Sequence, residues 1–358
     1  MKLVYEPERI DFLIVYLGRR GGGAQLLADV VSGFLDSSPP LLKFHVLQSD
    51  DGEVIFKKNV SATEIRVARS FLKLILHPYI TLFFIAKTFK LYFNLCPKWT
   101  LFVLPSPFDW IVSKIAKIFR SRQFFMIHDF QSHLGERWPS KGAIKWRIRN
   151  ADKIAVFSSD IQNRIRKIDE QVPIDVYELP NKLHLFSESA ELGEDILKLP
   201  DQYILFVGRI LEYKGLDVLI ASHQINHPEK ILVIAGYGFM EIGNEKNIIR
   251  INRWLLNEEV NYLLDHAKIV VFPYVEASQS GLLPIAVAKN KPIVITDLAG
   301  LVEQAGDHIN VEVVSVNSVP QLSIGISKAW LNEFHVKDFA TDEKIEISER
   351  LKRTMDLV

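Results

Sequence analysis

The sequence predicts an α/β protein of two doubly wound domains, each built on a parallel sheet. Apolar strands alternate with helices in two separate series along the chain, which is typical of such sheets. A polar, acidic stretch at 185–201 separates the two series and is the predicted linker. The chain has 358 residues, 48% of them hydrophobic, which is enough for two domains of ordinary size, each with its own core.

The first series begins with a strand at Asp11–Leu17, a glycine loop that ends at Gly21, Gly22 and Gly23, and a helix at 24–35 with helical spacing of its apolar residues. Further strands are predicted at 101–104, 124–127 and 153–157. Ser158, Ser159 and Asp160 follow the last strand and are favoured residues for a helix N-cap. Residues 1–185 are therefore the predicted N-terminal domain.

The second series occupies residues 186–335, the predicted C-terminal domain. Strands are expected at 203–207, 230–235, 268–272 and 292–296, and helices at 216–222, 257–266 and 281–289. Residues 336–358 are predicted to be a helical tail that packs back on the first domain, because Ile345, Ile347 and Leu351 have apolar spacing.

The formal net charge of +0 hides an asymmetry between the halves. Residues 1–185 carry 27 basic and 18 acidic residues, whereas residues 186–358 carry 16 and 25. Residues 60–125 have 10 basic and 2 acidic residues and many aromatic ones, which indicates either helices packed on a core or docking on an anionic membrane surface. The longest uncharged stretch there, 74–86, is shorter than the ~20 residues of a membrane span.

The cellular location is predicted from the cysteine content and the N-terminal residues. The one cysteine, Cys96, excludes an internal disulfide and favours a reducing compartment. The short apolar segment at 12–17 follows acidic residues and does not resemble a secretory signal. We expect a cytoplasmic protein, located peripherally on the inner face of the membrane, with no nucleic-acid partner.

Candidate ligand-binding residues follow the first strand of the second series. Arg209 lies just beyond the strand, and Lys214 lies five residues on, at the start of a helix. A guanidinium fork, an ammonium group and helix-start N–H groups suit a diphosphate. The alternative is that both are solvated surface charges.

Three further elements repeat this placement at the carboxyl ends of strands, where open α/β sheets bind ligands. Gly236 follows one strand and allows close approach of a ligand, although a plain tight turn explains it equally well. Glu276 and the run Ser280, Gly281, Leu282 follow another strand, and 296–303 follow the next. Four such elements in order are stronger evidence than any one of them.

Residues 206–303 resemble the nucleotide-binding half of retaining GT-B glycosyltransferases, especially family four; the resemblance over 1–185 is looser and rests on the glycine loop and His128-Asp129. The resemblance implies two Rossmann-like domains that face a central cleft. It implies that Arg209 and Lys214 bind the donor diphosphate, that Glu276 contacts the donor sugar, and that the backbone of 280–282 holds phosphate. Gly22 and Gly23 would cap the donor from the other domain, and His128 would lie beside the transferred sugar.

One position departs from the family pattern. The family has a second acidic residue about eight positions after the first, where it binds the nucleotide ribose. Pro284 stands at this position, and neither Ile285 nor Ala286 after it is acidic. The ribose contact and the nucleotide preference therefore do not follow from the resemblance.

The predicted reaction is transfer of a sugar from a UDP- or GDP-sugar to a glycan or lipid-linked acceptor, with retention, in surface polysaccharide or glycoconjugate synthesis. The enzyme is expected to be hexosyltransferase-like, with no cofactor and no metal, since no Asp-x-Asp metal clamp occurs. His128 and Glu276 are the predicted catalytic residues. The alternatives are another GT-B enzyme, such as a nucleotide-sugar epimerase or a sugar phosphorylase, and a non-catalytic partner subunit.

Overall fold

The computed structural model describes residues 9–18, 22–35, 42–50, 60–67, 77–130, 138–177, 179, 183, 191–238 and 245–331. The described residues up to Tyr177 form one compact unit, and those from Leu179 onward form a second. The predicted tail at 336–358 lies outside the described residues. The predicted domain boundaries at 185 and 335 and the cleft between the domains stay predictions.

The first unit contains a seven-stranded parallel sheet in the order β3-β2-β1-β4-β5-β6-β7. Its strands are β1 Phe12–Tyr16, β2 Phe44–Ser49, β3 Ala62–Ile65, β4 Trp99–Phe102, β5 Arg122–Ile127, β6 Lys153–Val156 and β7 Ile174–Val176. Its helices are α1 Gly22–Leu35, α2 Pro78–Leu95, α3 Asp109–Ile118, α4 Lys141–Asn150 and α5 Ser159–Arg166. In the register, Ile14 pairs with Val46 on one side and Leu101 on the other.

The second unit contains a six-stranded parallel sheet in the order β10-β9-β8-β11-β12-β13. Its strands are β8 Ile204–Val207, β9 Leu232–Ala235, β10 Ile248–Ile251, β11 Ile269–Phe272, β12 Ile293–Thr296 and β13 Val311–Val314. Its helices are α6 Glu194–Leu197, α7 Leu216–Asn226, α8 Asn257–His266, α9 Leu283–Ala288, α10 Ala299–Ala305 and α11 Val319–Leu331, and a 3₁₀ turn spans Glu212–Lys214.

Both sheets have the doubly wound order that the alternation of strands and helices predicts. Strands β1, β8, β9, β11 and β12 are apolar throughout or end in one polar residue, and every residue in them is buried. Burial of both faces of a strand is what helices on both sides of a parallel sheet produce. The two-domain Rossmann-like fold class is confirmed.

The predicted helices and strands occur with ends shifted by a few residues. Ser158 caps α5, as predicted, by accepting a hydrogen bond from the amide of Ile161 at 3.4 Å. The sequence patterns did not predict the following elements: β2, β3, β7, β10, β13, α2, α3, α4, α6, α10 and α11. Four of these, β3, β7, β10 and β13, are short strands at the edges of the sheets and are only partly buried.

Part of the predicted linker belongs to the second unit. Residues Glu194–Leu197 form α6, and the fully buried side chain of Ile196 joins the core of this unit. Arg253 holds the segment by two hydrogen bonds to Asp195, at 2.7 and 3.0 Å, and two to Glu259, both at 2.7 Å. Glu259 also accepts the amide of Gly193 at 3.1 Å. An acidic composition alone does not reveal such specific pairing.

A buried ion pair joins the carboxyl ends of two strands in the first unit. The guanidinium of Arg147 donates to Asp109 at 2.6 and 3.2 Å, to the carbonyl of Leu104 at 2.8 Å and to the carbonyl of Met126 at 2.9 Å. Leu104 follows β4, and Met126 lies in β5, two residues before His128. Arg147 therefore fixes the backbone that carries His128.

In the parts of the chain that the structure describes, none of the helices has the combination of length and apolarity that a bilayer crossing requires.

Candidate functional site

Two close backbone contacts shape the carboxyl end of the second sheet. A Cβ placed on Gly236 would lie 1.8 Å from the carbonyl oxygen of Gly208, and one on Gly238 would lie 1.9 Å from that of Ile210. Gly208 and Gly236 also have φ values of +142° and +143°, which L side chains rarely adopt. The backbones just after β8 and β9 therefore lie in close contact, which requires a residue without a Cβ at Gly236.

Arg209 and Lys214, which the sequence predicts as diphosphate ligands, lie around the same two tyrosines. Arg209 donates to the hydroxyl of Tyr213 at 3.3 Å. The ammonium of Lys214 lies 3.5 Å from the ring centroid of Tyr274 and 4.8 Å from that of Tyr213. Such cation–π contacts attract an ammonium to the ring face and hold it in place. Both side chains therefore lie beside Tyr213, and their binding of a diphosphate stays a prediction.

Tyr274 connects these cations to the predicted phosphate loop. Its hydroxyl lies 3.2 Å from the hydroxyl of Ser280, to which it is hydrogen-bonded. Burial raises the pKa of Tyr274 to about 12, and the Ser280 hydroxyl and the charge of Arg209 oppose the rise. The phenol is consequently a neutral hydrogen-bonding group at physiological pH. The sequence reasoning missed Tyr274 and Tyr213, although both stand beside named candidates.

The loop that contains Glu276 and residues 280–282 is fastened to the next strand and helix. Gln304 accepts the amide of Ser280 at 2.7 Å and donates to its carbonyl at 3.1 Å, and Thr296 donates to the carbonyl of Tyr274 at 2.7 Å. Since the Ser280 amide already donates to Gln304, the predicted phosphate contact falls on the amides of Gly281 and Leu282. Glu276 is half-buried in this loop.

The fourth predicted element, residues 296–303, lies beside the third, the loop that contains Glu276. A Cβ on Gly300, at the start of α10, would lie 1.8 Å from the carbonyl oxygen of Ser278. Leu282 reaches the first element, because its Cδ1 is 3.9 Å from a Cβ built on Gly208. Pro284 occupies the first turn of α9, where the missing N–H of proline is tolerated. The structure thus brings all four elements together at one edge of the second sheet.

An exposed aromatic pair lies at the same edge of the sheet, after β9 and β10. The rings of Tyr237 and Trp254 are stacked, with centroids 5.4 Å apart and planes 17° apart. The rings remain 39% and 45% exposed. Asn252 holds the backbone beneath them by hydrogen bonds to the amide and carbonyl of Gly238, at 3.2 and 3.3 Å. The sequence patterns did not reveal this pair, because its members are 17 positions apart and follow two strands that pair only in the fold.

The remaining candidates lie in the first unit. Gly22 and Gly23 begin α1, and a Cβ on Gly23 would lie 2.4 Å from Leu104 and 2.7 Å from the hydroxyl of Tyr16. His128 follows β5, and its Nδ1 lies 3.0 Å from the carboxylate of Asp129. These residues lie at the carboxyl end of the first sheet, as predicted, and their roles stay predictions.

Part of the chain matches a known protein family, and solved structures share its fold. Residues 201–331 match the family model "Glycosyl transferases group 1", and a comparison with curated proteins found no match. Among solved structures, Anabaena HepE in complex with UDP and glucose is similar over 98% of this chain and 100% of its own, with a TM-score of 0.68 and 13% identity.

Two further structures share the fold. Sucrose-phosphate synthase from Thermosynechococcus elongatus is similar over 89% of both chains, with a TM-score of 0.64 and 14% identity. The UDP-GlcNAc 2-epimerase from Methanocaldococcus jannaschii is similar over 97% of this chain and 100% of its own, with a TM-score of 0.60 and 11% identity. At such identities the likeness shows the fold, and the narrower assignment to family four stays a prediction. Residues 201–331 therefore resemble the glycosyl transferases group 1 family, and the chain shares the GT-B fold of these solved structures.

Proposed function

We propose that this chain transfers a sugar from a UDP- or GDP-sugar, with Arg209 and Lys214 as the ligands of the donor diphosphate. The observation that carries the proposal is the cluster of both cations around Tyr213 and Tyr274, at the carboxyl ends of β8 and β11. Open α/β sheets bind ligands at this edge. The group 1 family match covers the same residues, which supports a glycosyltransferase over an epimerase.

In the proposed reaction, the bond between the anomeric carbon and the diphosphate oxygen breaks, and negative charge develops on the leaving diphosphate. Fixed positive groups that face this charge lower the barrier. Arg209 and Lys214 supply such groups without a metal, and the neutral phenol of Tyr274 adds a hydrogen-bonding group. With retention, the acceptor oxygen forms the new bond to the anomeric carbon on the face that the diphosphate leaves. The leaving phosphate takes the proton of the acceptor hydroxyl, so the chain needs no strong base.

The remaining residues position the two substrates in this proposal. Glu276 accepts hydrogen bonds from hydroxyls of the donor sugar, and His128 orients the transferred hexose. The amides of Gly281 and Leu282 contact phosphate, and Gly22 and Gly23 let the donor approach the backbone. The acceptor is a glycan or lipid-linked sugar of surface polysaccharide or glycoconjugate synthesis. The enzyme encounters it in the cytoplasm, at the inner face of the membrane.

Donor binding tests this proposal directly. In a thermal-shift screen of UDP-, GDP- and TDP-sugars, a ligand at 100 times its Kd stabilises the protein by about 2.7 kcal/mol. Arg209→Ala should weaken donor binding by about 10- to 150-fold, because a charge-assisted hydrogen bond contributes about 1.5–3 kcal/mol. Transfer by the wild-type chain should persist in EDTA.

Three results would count against the proposal. If Arg209→Ala binds every donor as tightly as the wild type, the diphosphate lies elsewhere. Loss of transfer on chelation, restored by magnesium or manganese, would contradict the metal-free reaction. If the chain binds a donor but neither hydrolyses it nor transfers its sugar to any acceptor offered, the non-catalytic partner subunit is favoured.

The stacked pair of Tyr237 and Trp254 supports a more specific proposal, that it receives the nucleobase of the donor. Strand β10 lies two strand spacings from β8, about 10 Å, a separation that a ribose and an α-phosphate bridge. Exposed aromatic rings stack with any base, each worth about 1–3 kcal/mol by alanine substitution. This platform anchors the nucleotide although Pro284 replaces the acidic ribose ligand.

Removal of the Trp254 ring should weaken binding of the base without weakening binding of the phosphates. Trp254→Ala should weaken UDP or GDP about 5- to 150-fold and leave pyrophosphate binding unchanged, whereas Arg209→Ala should weaken both. Trp254→Phe keeps an aromatic face and serves as the matched control. Isothermal titration calorimetry with each ligand makes the comparison, and equal losses for UDP and pyrophosphate in Trp254→Ala would disprove base stacking.

A further inference from the structure

Helix α2 is more apolar on its exposed side than on its buried side. Its buried residues are Phe84, Thr88 and Tyr92. Five large exposed side chains of the helix are aromatic or aliphatic and, at 100° per residue, point away from the buried side: Tyr79 (61% exposed), Leu82 (66%), Phe83 (59%), Phe89 (43%) and Phe93 (55%). A helix that only covers a core has the reverse arrangement.

The neighbouring helix α3 extends this surface. Aromatic contacts join the two helices through Phe108 and Phe119, which flank α3. The ring centroids of Phe84 and Phe108 are 5.6 Å apart, and those of Phe89 and Phe119 are 5.0 Å apart. On α3, Trp110 and Ile118 are 49% and 66% exposed. We call the following set the outer apolar surface: Tyr79, Leu82, Phe83, Phe89, Phe93, Trp110 and Ile118. Exposed apolar residues gathered on two neighbouring helices are typical of interaction sites.

Positive charge accompanies the outer apolar surface. Residues 77–122 contain seven Lys or Arg and one acidic residue, Asp109, which is buried against Arg147. Lys90 is exposed on α2 between the apolar side chains, and the ammonium of Lys114 lies 5.0 Å from the ring centroid of Trp110. Exposed aromatic and aliphatic groups among lysines are typical of helices that lie in a membrane interface.

We propose that the outer apolar surface docks this chain on an anionic phospholipid bilayer, with α2 lying flat in the headgroup region. A second copy of the chain is the weaker candidate, because a two-fold contact through this surface would bring the same lysines face to face. Phosphate headgroups complement these lysines, and the acyl boundary accepts the phenylalanines and leucine. Docking does not depend on the donor chemistry, and it would bring the enzyme to a lipid-linked acceptor.

Liposome co-sedimentation of the full chain tests this surface. We expect binding to phosphatidylcholine vesicles with one third phosphatidylglycerol, little binding to phosphatidylcholine alone, and weakening in high salt. Lys90→Glu with Lys114→Glu should lower partitioning about tenfold or more, given the contribution of each basic residue near such a surface. Leu82→Ser with Phe83→Ser should lower it by at least as much, because two inserted side chains are lost.

Matched variants in the second unit control for general effects of charge and apolarity. Ile225 and Ile324 are 67% and 57% exposed, and Lys246 is exposed, so Ile225→Ser with Ile324→Ser and Lys246→Glu should bind vesicles as the wild type does. Thermal shift by the donor should be the same in all variants, which separates this test from that of the proposed function. Vesicle binding that is unchanged in the surface variants would overturn the proposal. A wild-type dimer that the substitutions Leu82→Ser and Phe83→Ser dissociate would also overturn it.

Discussion

Arg147→Met should lower the free energy of unfolding of the first unit by about 3–5 kcal/mol, the usual effect of removing one partner of a buried ion pair. The side chains of Arg147 and Asp109 are 2% and 4% exposed. Without the guanidinium, the Asp109 carboxylate stays buried, and among the residues that the structure describes only the amide of Ser106 still donates to it, at 2.8 Å. The carbonyls of Leu104 and Met126 also lose their Arg147 hydrogen bonds.

Urea unfolding, followed by tryptophan fluorescence, measures this loss. The control is Arg164→Met, because the ion pair of Arg164 with Asp160 is 44% and 38% exposed and such pairs contribute at most about 1 kcal/mol. The double variant Arg147→Met with Asp109→Leu should recover part of the stability, since no unpaired charge is left buried. A loss in Arg147→Met no larger than in Arg164→Met would show that the pair is not what holds these strand ends.

Gly236→Ala should destabilise the second unit by roughly 2–6 kcal/mol, from strain at a positive φ and from overpacking. The new methyl group would lie 1.8 Å from the backbone oxygen of Gly208, and backbone atoms cannot turn aside as a flexible side chain does. Relief requires the ends of β8 and β9 to separate. Because Arg209 follows Gly208 directly, donor affinity should fall with stability.

Gly281→Ala provides the control within the same unit. A Cβ on Gly281 meets no atom within 4 Å, and the φ of Gly281 is not in the left-handed region. The unfolding temperature of the Gly281→Ala variant should therefore change little. Differential scanning calorimetry of both variants without a donor compares their stabilities. The donor-induced shift of Gly236→Ala relative to the wild type then measures the loss of donor affinity. Equal melting of the two variants would mean that the contact between Gly208 and Gly236 imposes no constraint.

Sequence patterns by themselves determined the fold class and half of the candidate site. Buried parallel strands are continuous apolar runs, so β1, β8, β9, β11 and β12 could be read directly. Charged and glycine residues that follow such runs must collect at one edge of the sheet, which is why Arg209, Lys214, Gly236 and Glu276 could be named. Local capping chemistry likewise revealed Ser158.

Tertiary structure alone decided the partners of these residues. The cation–π contact of Lys214 with Tyr274, the stacking of Tyr237 on Trp254 and the capture of Asp195 by Arg253 join residues 17 to 60 positions apart. The exposed side of α2 could not be read from its composition, because the same phenylalanines fit a buried helix equally well. Which face of a helix meets the sheet depends on how neighbouring elements pack, and in α2 that packing left the more apolar face in contact with solvent.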